Sequence, residues 1–415
     1  MHITRAMPTS DLRKGESVVA RSTSDDFLLS ATARMSQILA ANSLRVRVSV
    51  GTNAIDLGDF SVSKTHQVEF IFKSHDVFER VMRRMRLMDF ALCYFSGDML
   101  IGGLITNAID VIDLINGATD RRQTFLENLQ QVAFQTAKAV FPGVQKRFES
   151  LEHYSQDAAA YELFLDDHMQ YTCGRYITGN ENITEAQIAK FQLIEELAAK
   201  ELGSLKGRDH LDIGCGWGGM GAYFQEVLGT ISVGNTNCER QMRYAQVRYG
   251  SDVIFGDFAA LNGTGRRFDL VTVVGMMEHL TPYRRSQLLS VIGRVLKPNG
   301  VAYLQCITKP SVWIGGDAYR VAQKIVFPGH YLETADQTAK RIEAGGFKII
   351  YSMDGARDYG LTTAQWAEAL QRNETQMIAL VGEKKYRIFL GYLAFASKMF
   401  STGRGGLMRY MFKRV

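Results

Sequence analysis

Residues 210–219 read His-Leu-Asp-Ile-Gly-Cys-Gly-Trp-Gly-Gly, an apolar strand end carrying Asp212 that runs into a turn with Gly214, Gly216, Gly218 and Gly219. A turn so poor in side chains, at the carboxyl end of the first strand of an open α/β sheet, lets backbone come close to a nucleotide-like ligand. Its spacing is G-x-G-x-G-G with an acid before the first glycine, whereas a dinucleotide site uses G-x-G-x-x-G and an acid about 20 residues later. The next strand, Thr230 to Val233, leads instead into Gly234-Asn235-Thr236, without an acid. Glycine also collects in structural turns, where it supplies positive φ, so the residues downstream must decide between the two.

Helix Glu185 to Leu202 precedes the first strand, Arg208 to Ile213. Further strands are expected near Val253 to Phe255, Leu270 to Val274, Val301 to Ile307 and Phe347 to Tyr351. This alternation specifies a Rossmann-like α/β domain, its mostly parallel sheet covered on both faces and its ligand crevice at the strand carboxyl ends. In that setting the glycine turn resembles motif I of S-adenosylmethionine-dependent methyltransferases.

The chain has 415 residues, 46% of them apolar, enough for two or three cores at about 150 residues per domain. No stretch approaches the roughly 18 uncharged apolar residues of a membrane span, and Met1 to Glu16 lacks the apolar core of a signal peptide. The expected location is therefore the cytoplasm. The five cysteines, Cys93, Cys173, Cys215, Cys238 and Cys306, are scattered without C-x-x-C spacing, which indicates neither a disulfide frame nor a metal site. A net charge of +5 suits an anionic surface such as a phospholipid bilayer, and equally suits plain solubility. Aromatic residues are not interleaved with a strong basic patch, so nucleic acid is not an expected partner.

Residues 1–26 read as a loose tail, 27–120 as a small α/β lipid-interaction domain, 121–150 as a helical connector broken at Pro142-Gly143, and 151–415 as the methyltransferase domain. Within 27–120, a helix from Phe27 to Ala41 leads into period-two strands at Leu44 to Val50 and Gln67 to Phe72. From Val77 to Met88 one helix face gathers Val77, Val81, Met82, Met85 and Met88, with Arg80, Arg83, Arg84 and Arg86 beside or opposite it. Such a face can lie in lipid headgroups or pack on the local sheet. Phe90 to Ile101 follows, with Gly97 and Asp98 in a turn, then a helix to about Ile115.

Beyond residue 150 the motifs His153-Tyr154, Met169-Gln-Tyr-Thr-Cys173, Leu211-Asp-Ile-Gly-Cys-Gly-Trp-Gly218, Gly275-Met-Met-Glu-His279, Phe327-Pro-Gly-His-Tyr-Leu332 and Tyr359-Gly-Leu-Thr-Thr363 follow in order. Together they resemble the cyclopropane-fatty-acyl-phospholipid synthase family over about residues 150–400. The resemblance implies a class I methyltransferase domain with a mostly parallel seven-stranded sheet, beside a smaller N-terminal α/β domain. It implies S-adenosylmethionine as cofactor, a cis double bond in a membrane phospholipid acyl chain as substrate, and bicarbonate as the base. Tyr171 and Thr172 then sit where the family closes over the methionine end of the cofactor. Asp212, Gly214 and Gly216 match the cofactor turn, Thr236 and Gln241 the ribose contact, and Asp257 the adenine contact. Cys173, Glu278, Ile307 and Tyr392 match four bicarbonate ligands, and Gln305 stands where a histidine is expected.

Ordinary packing competes for several of these positions. Cys173 reads equally as a small core residue and Tyr392 as part of an apolar helix, Ile388 to Phe400. Glu278 follows an apolar strand, where a carboxylate points into the crevice, while the adjacent His279 must point elsewhere. Glutamine donates and accepts without changing charge, unlike histidine. Gln305 thus tilts the expected product from a cyclopropane toward a methylated unsaturated acyl chain, the kind that relatives convert to furan fatty acids. Tyr154 to Tyr161 also departs from the family pattern, as do Gly391 and Ala394 beside Tyr392.

The expected function is an S-adenosylmethionine-dependent C-methyltransferase of phospholipid acyl chains, peripheral on the inner face of the membrane, with a homodimer allowed. The basic residues Lys398, Arg404, Arg409, Lys413 and Arg414 and the Val77 to Met88 helix are candidates for a membrane-facing rim. The alternatives are a cyclopropane synthase proper, a methyltransferase of a soluble small molecule and a non-catalytic lipid-binding protein.

Overall fold

The computed structural model describes residues 23–61, 67–85, 87–118, 158–310 and 332–415. His153-Tyr154, the connector 121–150 and most of the Phe327 to Leu332 motif lie outside the described residues. The chain divides into two compact units, Met1–Arg122 and Gln123–Val415, each described by itself.

Among the described residues the first unit is a four-stranded sheet with four helices. Its elements are α1 (Thr23–Ala41), β1 (Arg45–Val50), β2 (Asn53–Gly58), β3 (Val68–Phe72), α2 (His75–Arg84), α3 (Leu87–Ser96), β4 (Met99–Gly102) and α4 (Ile105–Ala118). The strand order is β2-β1-β3-β4, with β1 and β3 parallel and both outer pairs antiparallel. The single helix expected from Val77 to Met88 stops at Arg84, because Met85 turns left-handed at φ 47° and caps it. Phe78, Val81, Met82 and Met85 are buried in this unit's own core, so packing, not lipid, takes the methionine face. The stretch expected from Phe90 to Ile101 is likewise two elements, α3 and β4, parted at Gly97-Asp98.

The second unit continues with α5 (Ala158–Glu162), α6 (Ile183–Leu202), β5 (Asp209–Ile213), α7 (Gly219–Leu228), β6 (Ile231–Thr236), α8 (Glu239–Tyr249), β7 (Asp252–Phe255), β8 (Phe268–Val274), α9 (Pro282–Val295) and β9 (Leu296–Thr308). It ends with α10 (Ala335–Ala344), β10 (Phe347–Asp354), α11 (Ala356–Arg372), α12 (Glu374–Val381), α13 (Glu383–Ser401) and β11 (Gly406–Arg414). Its seven strands run β10-β11-β9-β8-β5-β6-β7, all neighbours parallel except the two pairs that include β11. β8 is buried at every residue, Phe268 to Val274, as a central strand covered on both faces requires.

Alternation along the strands divides the core. Leu211, Ile213, Val271, Val273, Leu304 and Phe412 pack on one face with α9, and Leu270, Val301, Tyr303 and Met411 pack on the other with α6 and α7. On that second face the same parity brings polar side chains toward the strand carboxyl ends: Asp212, Thr272 and Gln305, with Arg409 opposite Gln305 in the β9–β11 register.

The basic C-terminal residues require a correction. Arg409 and Lys413 belong to β11, an interior strand, not to a membrane-facing rim. Arg409 is 0% exposed and Lys413 pairs with Glu201 at 2.6 Å.

Candidate active site

The glycine turn is built by backbone conformation. Gly214, Gly216 and Gly218 hold φ of 78°, 54° and 87°, which L side chains rarely adopt. A Cβ at Gly218 would lie 2.6 Å from the Cβ of Ala245, whereas one at Gly216 would meet only Gln241 Nε2, at 4.0 Å. The turn is thus packed beneath and open above Gly216, as a backbone cradle for a ligand must be. The Gly214 and Cys215 N–H groups both donate to Asn235 O at 2.9 Å, fixing the turn to the end of β6. There Thr236 Oγ1 donates to Gln241 Oε1 at 3.1 Å, so these two residues meet. Asp257 Oδ1 instead caps Ala259 N at 2.9 Å while Oδ2 pairs with Arg284, leaving the carboxylate at the crevice edge already engaged.

Asp212 is buried and accepts from Thr272 Oγ1 at 2.9 Å. Burial raises its pKa to about 7, against the opposing influence of that hydrogen bond and of Lys190. Behind it, His210 is wedged between Ser232 Oγ at 3.0 Å and Thr272 Oγ1 at 2.9 Å. Burial lowers the pKa of His210 to about 3, so the ring stays neutral and serves as a relay that orients Thr272.

The 158–176 segment lies against the turn. Tyr171 packs on Tyr161, Phe164 and Trp366 at 5.5, 5.9 and 5.0 Å, and Tyr161 also meets Trp217 of the turn at 5.4 Å. Thr172 sits over Gly275, φ 69°, whose absent Cβ would lie 2.7 Å from the threonine methyl. The structure therefore brings Tyr171, Thr172, Asp212, Gly214, Gly216, Thr236 and Gln241 around one end of the sheet.

Glu278 lies in the 3-10 turn after β8, 3% exposed. Burial raises its pKa to about 7, while its own backbone and that of Ile307 donate hydrogen bonds that pull the other way. Its Oε2 is buried with no hydrogen-bond partner among the described residues. An orphaned carboxylate oxygen beside a backbone N–H marks a place for a small donor group. Tyr392 stands half-buried on α13, and His279 is half-buried in the turn next to Glu278.

Cys173 is a buried thiol. Burial pushes its pKa to about 12, although Arg409 opposes this, and its Sγ donates to Gly174 O at 3.1 Å. Gln305 Nε2 donates to Cys173 O at 3.1 Å while its Oε1 accepts from Arg409 Nε at 3.1 Å. An arginine can only donate, so this contact fixes which way the amide faces. The guanidinium also donates to Asp358 Oδ2 at 2.8 Å and Gly174 O at 2.7 Å, tying β11, β9, α11 and the 170–174 segment together.

A sequence model of the family described as mycolic acid cyclopropane synthetase matches residues 144–410. The chain belongs to this family. Within it, the chain is 31% identical over 267 residues to the cyclopropane-fatty-acyl-phospholipid synthase of Escherichia coli strain K12, covering 63% of this chain and 67% of that protein. It is 27% identical over 276 residues to the cyclopropane mycolic acid synthase MmaA2 of Mycobacterium tuberculosis, covering 62% and 93%. Among solved structures, mycolic acid cyclopropane synthase CmaA1, complexed with SAH and CTAB, superposes with a TM-score of 0.57 at 25% identity over 63% of this chain and 95% of that one. The second unit of this cyclopropane synthetase family member has the class I methyltransferase fold.

Sequence reasoning missed three buried cations of this family member, Lys190, Arg285 and Arg409, along with Trp217, Trp366 and the His210–Thr272 relay. Lys190 carried a signal, since it stands one helical turn from both Ala186 and Ile194 on the apolar stripe of α6. Its Nζ donates to Gln170 Oε1 at 2.9 Å and Thr172 Oγ1 at 2.8 Å, and burial lowers its pKa to about 8. Arg409 carried a weaker signal, a lone charge at a period-two position within Leu407 to Phe412.

Proposed function

We propose that this protein is an S-adenosylmethionine-dependent C-methyltransferase acting on the cis double bond of phospholipid acyl chains, with a methylated unsaturated acyl chain as product. The observation that carries the reaction is Glu278: a fully enclosed carboxyl group with one oxygen unpartnered, at the carboxyl end of the central strand beside the glycine turn. Asp212, whose pKa is also raised to about 7, is engaged by Thr272 at the glycine turn, Cys173 is held as a thiol and Gln305 does not titrate, which leaves Glu278 as the proton acceptor.

The residues present fit the cofactor. The open cradle above Gly216 and the aromatic wall of Tyr161, Tyr171 and Trp217 would hold it, with Thr172 and Asp212 toward its methionine end. When bound, S-adenosylmethionine supplies an electrophilic methyl group on a sulfonium sulfur. The chain's own contribution is to exclude water and to receive a proton. An alkyl cation formed in the acyl chain must lose a proton, and Glu278, at about 7, is ionised in half the molecules near neutrality. Its unpartnered Oε2 would also hold a bicarbonate, the base that the family resemblance implies.

Gln305 supports the methylated product. Its amide is committed to Cys173 O and Arg409, so position 305 contributes neither charge nor a mobile proton, and the choice of hydrogen lost falls to the Glu278 side. The lipid substrate implies peripheral membrane contact, for which the exposed arginines of the first unit, Arg80 and Arg83, are the candidates. Gas chromatography and mass spectrometry of phospholipid acyl chains from an expressing host test the reading. Methylated unsaturated chains are expected. Cyclopropane chains alone would replace the product half with a cyclopropane synthase proper, and unchanged lipids would remove the substrate.

A further inference from the structure

Among the described residues Lys190 is the lysine with no exposed surface. Burying an ammonium group is costly unless a counter-charge meets it. Yet both acceptors that Nζ contacts, Gln170 Oε1 and Thr172 Oγ1, are neutral. Asp166 and Asp212 act on it only through space, and the Phe191 ring faces it at 5.1 Å. The helix therefore plants a positive charge with no directly bonded anion behind Thr172.

The same contact fixes a proton. A lysine donates and never accepts, so Thr172 Oγ1 gives a lone pair to Lys190 and its own hydrogen points elsewhere. Thr172 is further immobilised by its methyl group over Gly275 and by Gln187 Nε2, which donates to its carbonyl at 2.7 Å. The result is a hydroxyl donor backed by a cation, on a rigid segment, near the carboxyl at Asp212. Such a pair of poles is complementary to an amino acid zwitterion, the hydroxyl facing a carboxylate and Asp212 facing an ammonium.

We propose that Lys190 is a positioning residue for the amino-acid end of the cofactor, acting through Thr172, whose hydroxyl proton it directs and whose donor strength it raises. This rests on reading the glycine turn as an S-adenosylmethionine site. Isothermal titration calorimetry with two probes separates the inference from that reading: S-adenosylhomocysteine carries the amino-acid end, and 5′-methylthioadenosine lacks it. K190M should weaken S-adenosylhomocysteine about tenfold to a hundredfold while 5′-methylthioadenosine changes by less than about twofold. T172V, which keeps the lysine, should give the same split, and K190M/T172V should be no weaker than either single variant. K190Q, able to keep a hydrogen bond but not the charge, is the second variant should K190M not fold, and it should show the same split. Equal losses for both probes, or none, would overturn the inference. Failure of the unaltered protein to bind either probe would instead remove the cofactor site beneath it.

Discussion

Glu278 has the energetics of a group kept for chemistry at a cost to stability. Between about pH 4.5 and pH 7 the folded protein retains a proton there that the unfolded chain has released, so stability falls as pH rises through that window. Glu278→Gln should therefore match the parent near pH 4.5 and exceed it by about 3 kcal/mol above pH 7, read from urea unfolding at several pH values. The same variant should lose about a hundredfold to ten-thousandfold in turnover, and the activity of the parent should climb to a plateau above about pH 7. At position 305, Gln305→His replaces an amide that does not titrate with a ring that can donate a hydrogen bond and accept a proton. Lipid analysis should then show a rising cyclopropane fraction. Asp212, Gly214 and Glu278 were legible in the sequence because each stands where the strand period and a turn leave it no ordinary packing role. Lys190 and Arg409 were not, because a charged residue within an apolar pattern reads as a solvated exception until the partners that accept its protons, from segments 20 and 104 residues away, are in place.

Among the elements, β11 departs furthest from expectation. The resemblance to the family implied seven strands, but no residues had been assigned to the seventh, and its bases suggested a surface. In the fold it lies between β9 and β10, and its one fully buried charge is matched by Asp358 from α11. Arg409→Met should leave that carboxylate buried and unpaired, a loss of about 3–5 kcal/mol in urea unfolding. The turn after β8 makes a second demand. Gly275 combines a positive φ with the Thr172 methyl at 2.7 Å from any added Cβ. Gly275→Ala should cost about 1–3 kcal/mol and displace Thr172, seen as weaker S-adenosylhomocysteine binding in calorimetry. A mostly parallel sheet was readable because buried β-branched runs alternate with helices, whereas the strand order was not. The ends of α2 and α3 were not, since the left-handed Met85 breaks a continuous helical period without glycine or proline to announce it.

For the whole molecule, no helix among the described residues is long and apolar enough to cross a membrane, and the function proposed above calls for peripheral contact with lipid. The first unit buries Met35, Met82, Met85 and Met99 and keeps Arg80 and Arg83 about half exposed, at 58% and 49%. Co-sedimentation with anionic vesicles should therefore weaken as salt rises, and Arg80→Glu with Arg83→Glu should reduce it while leaving S-adenosylhomocysteine affinity unchanged.

The placement of β11 also bears on how the protein is made. A nascent chain emerges from the ribosome in order, and every strand but one is available before residue 406 has been added. Until Gly406–Arg414 slots in, β9 and β10 have no shared neighbour and Gln305 has no guanidinium to set its amide. Translation products that stop before Gly406 would thus carry the glycine turn of the proposed methyl-donor site without the strand that sets the Gln305 amide.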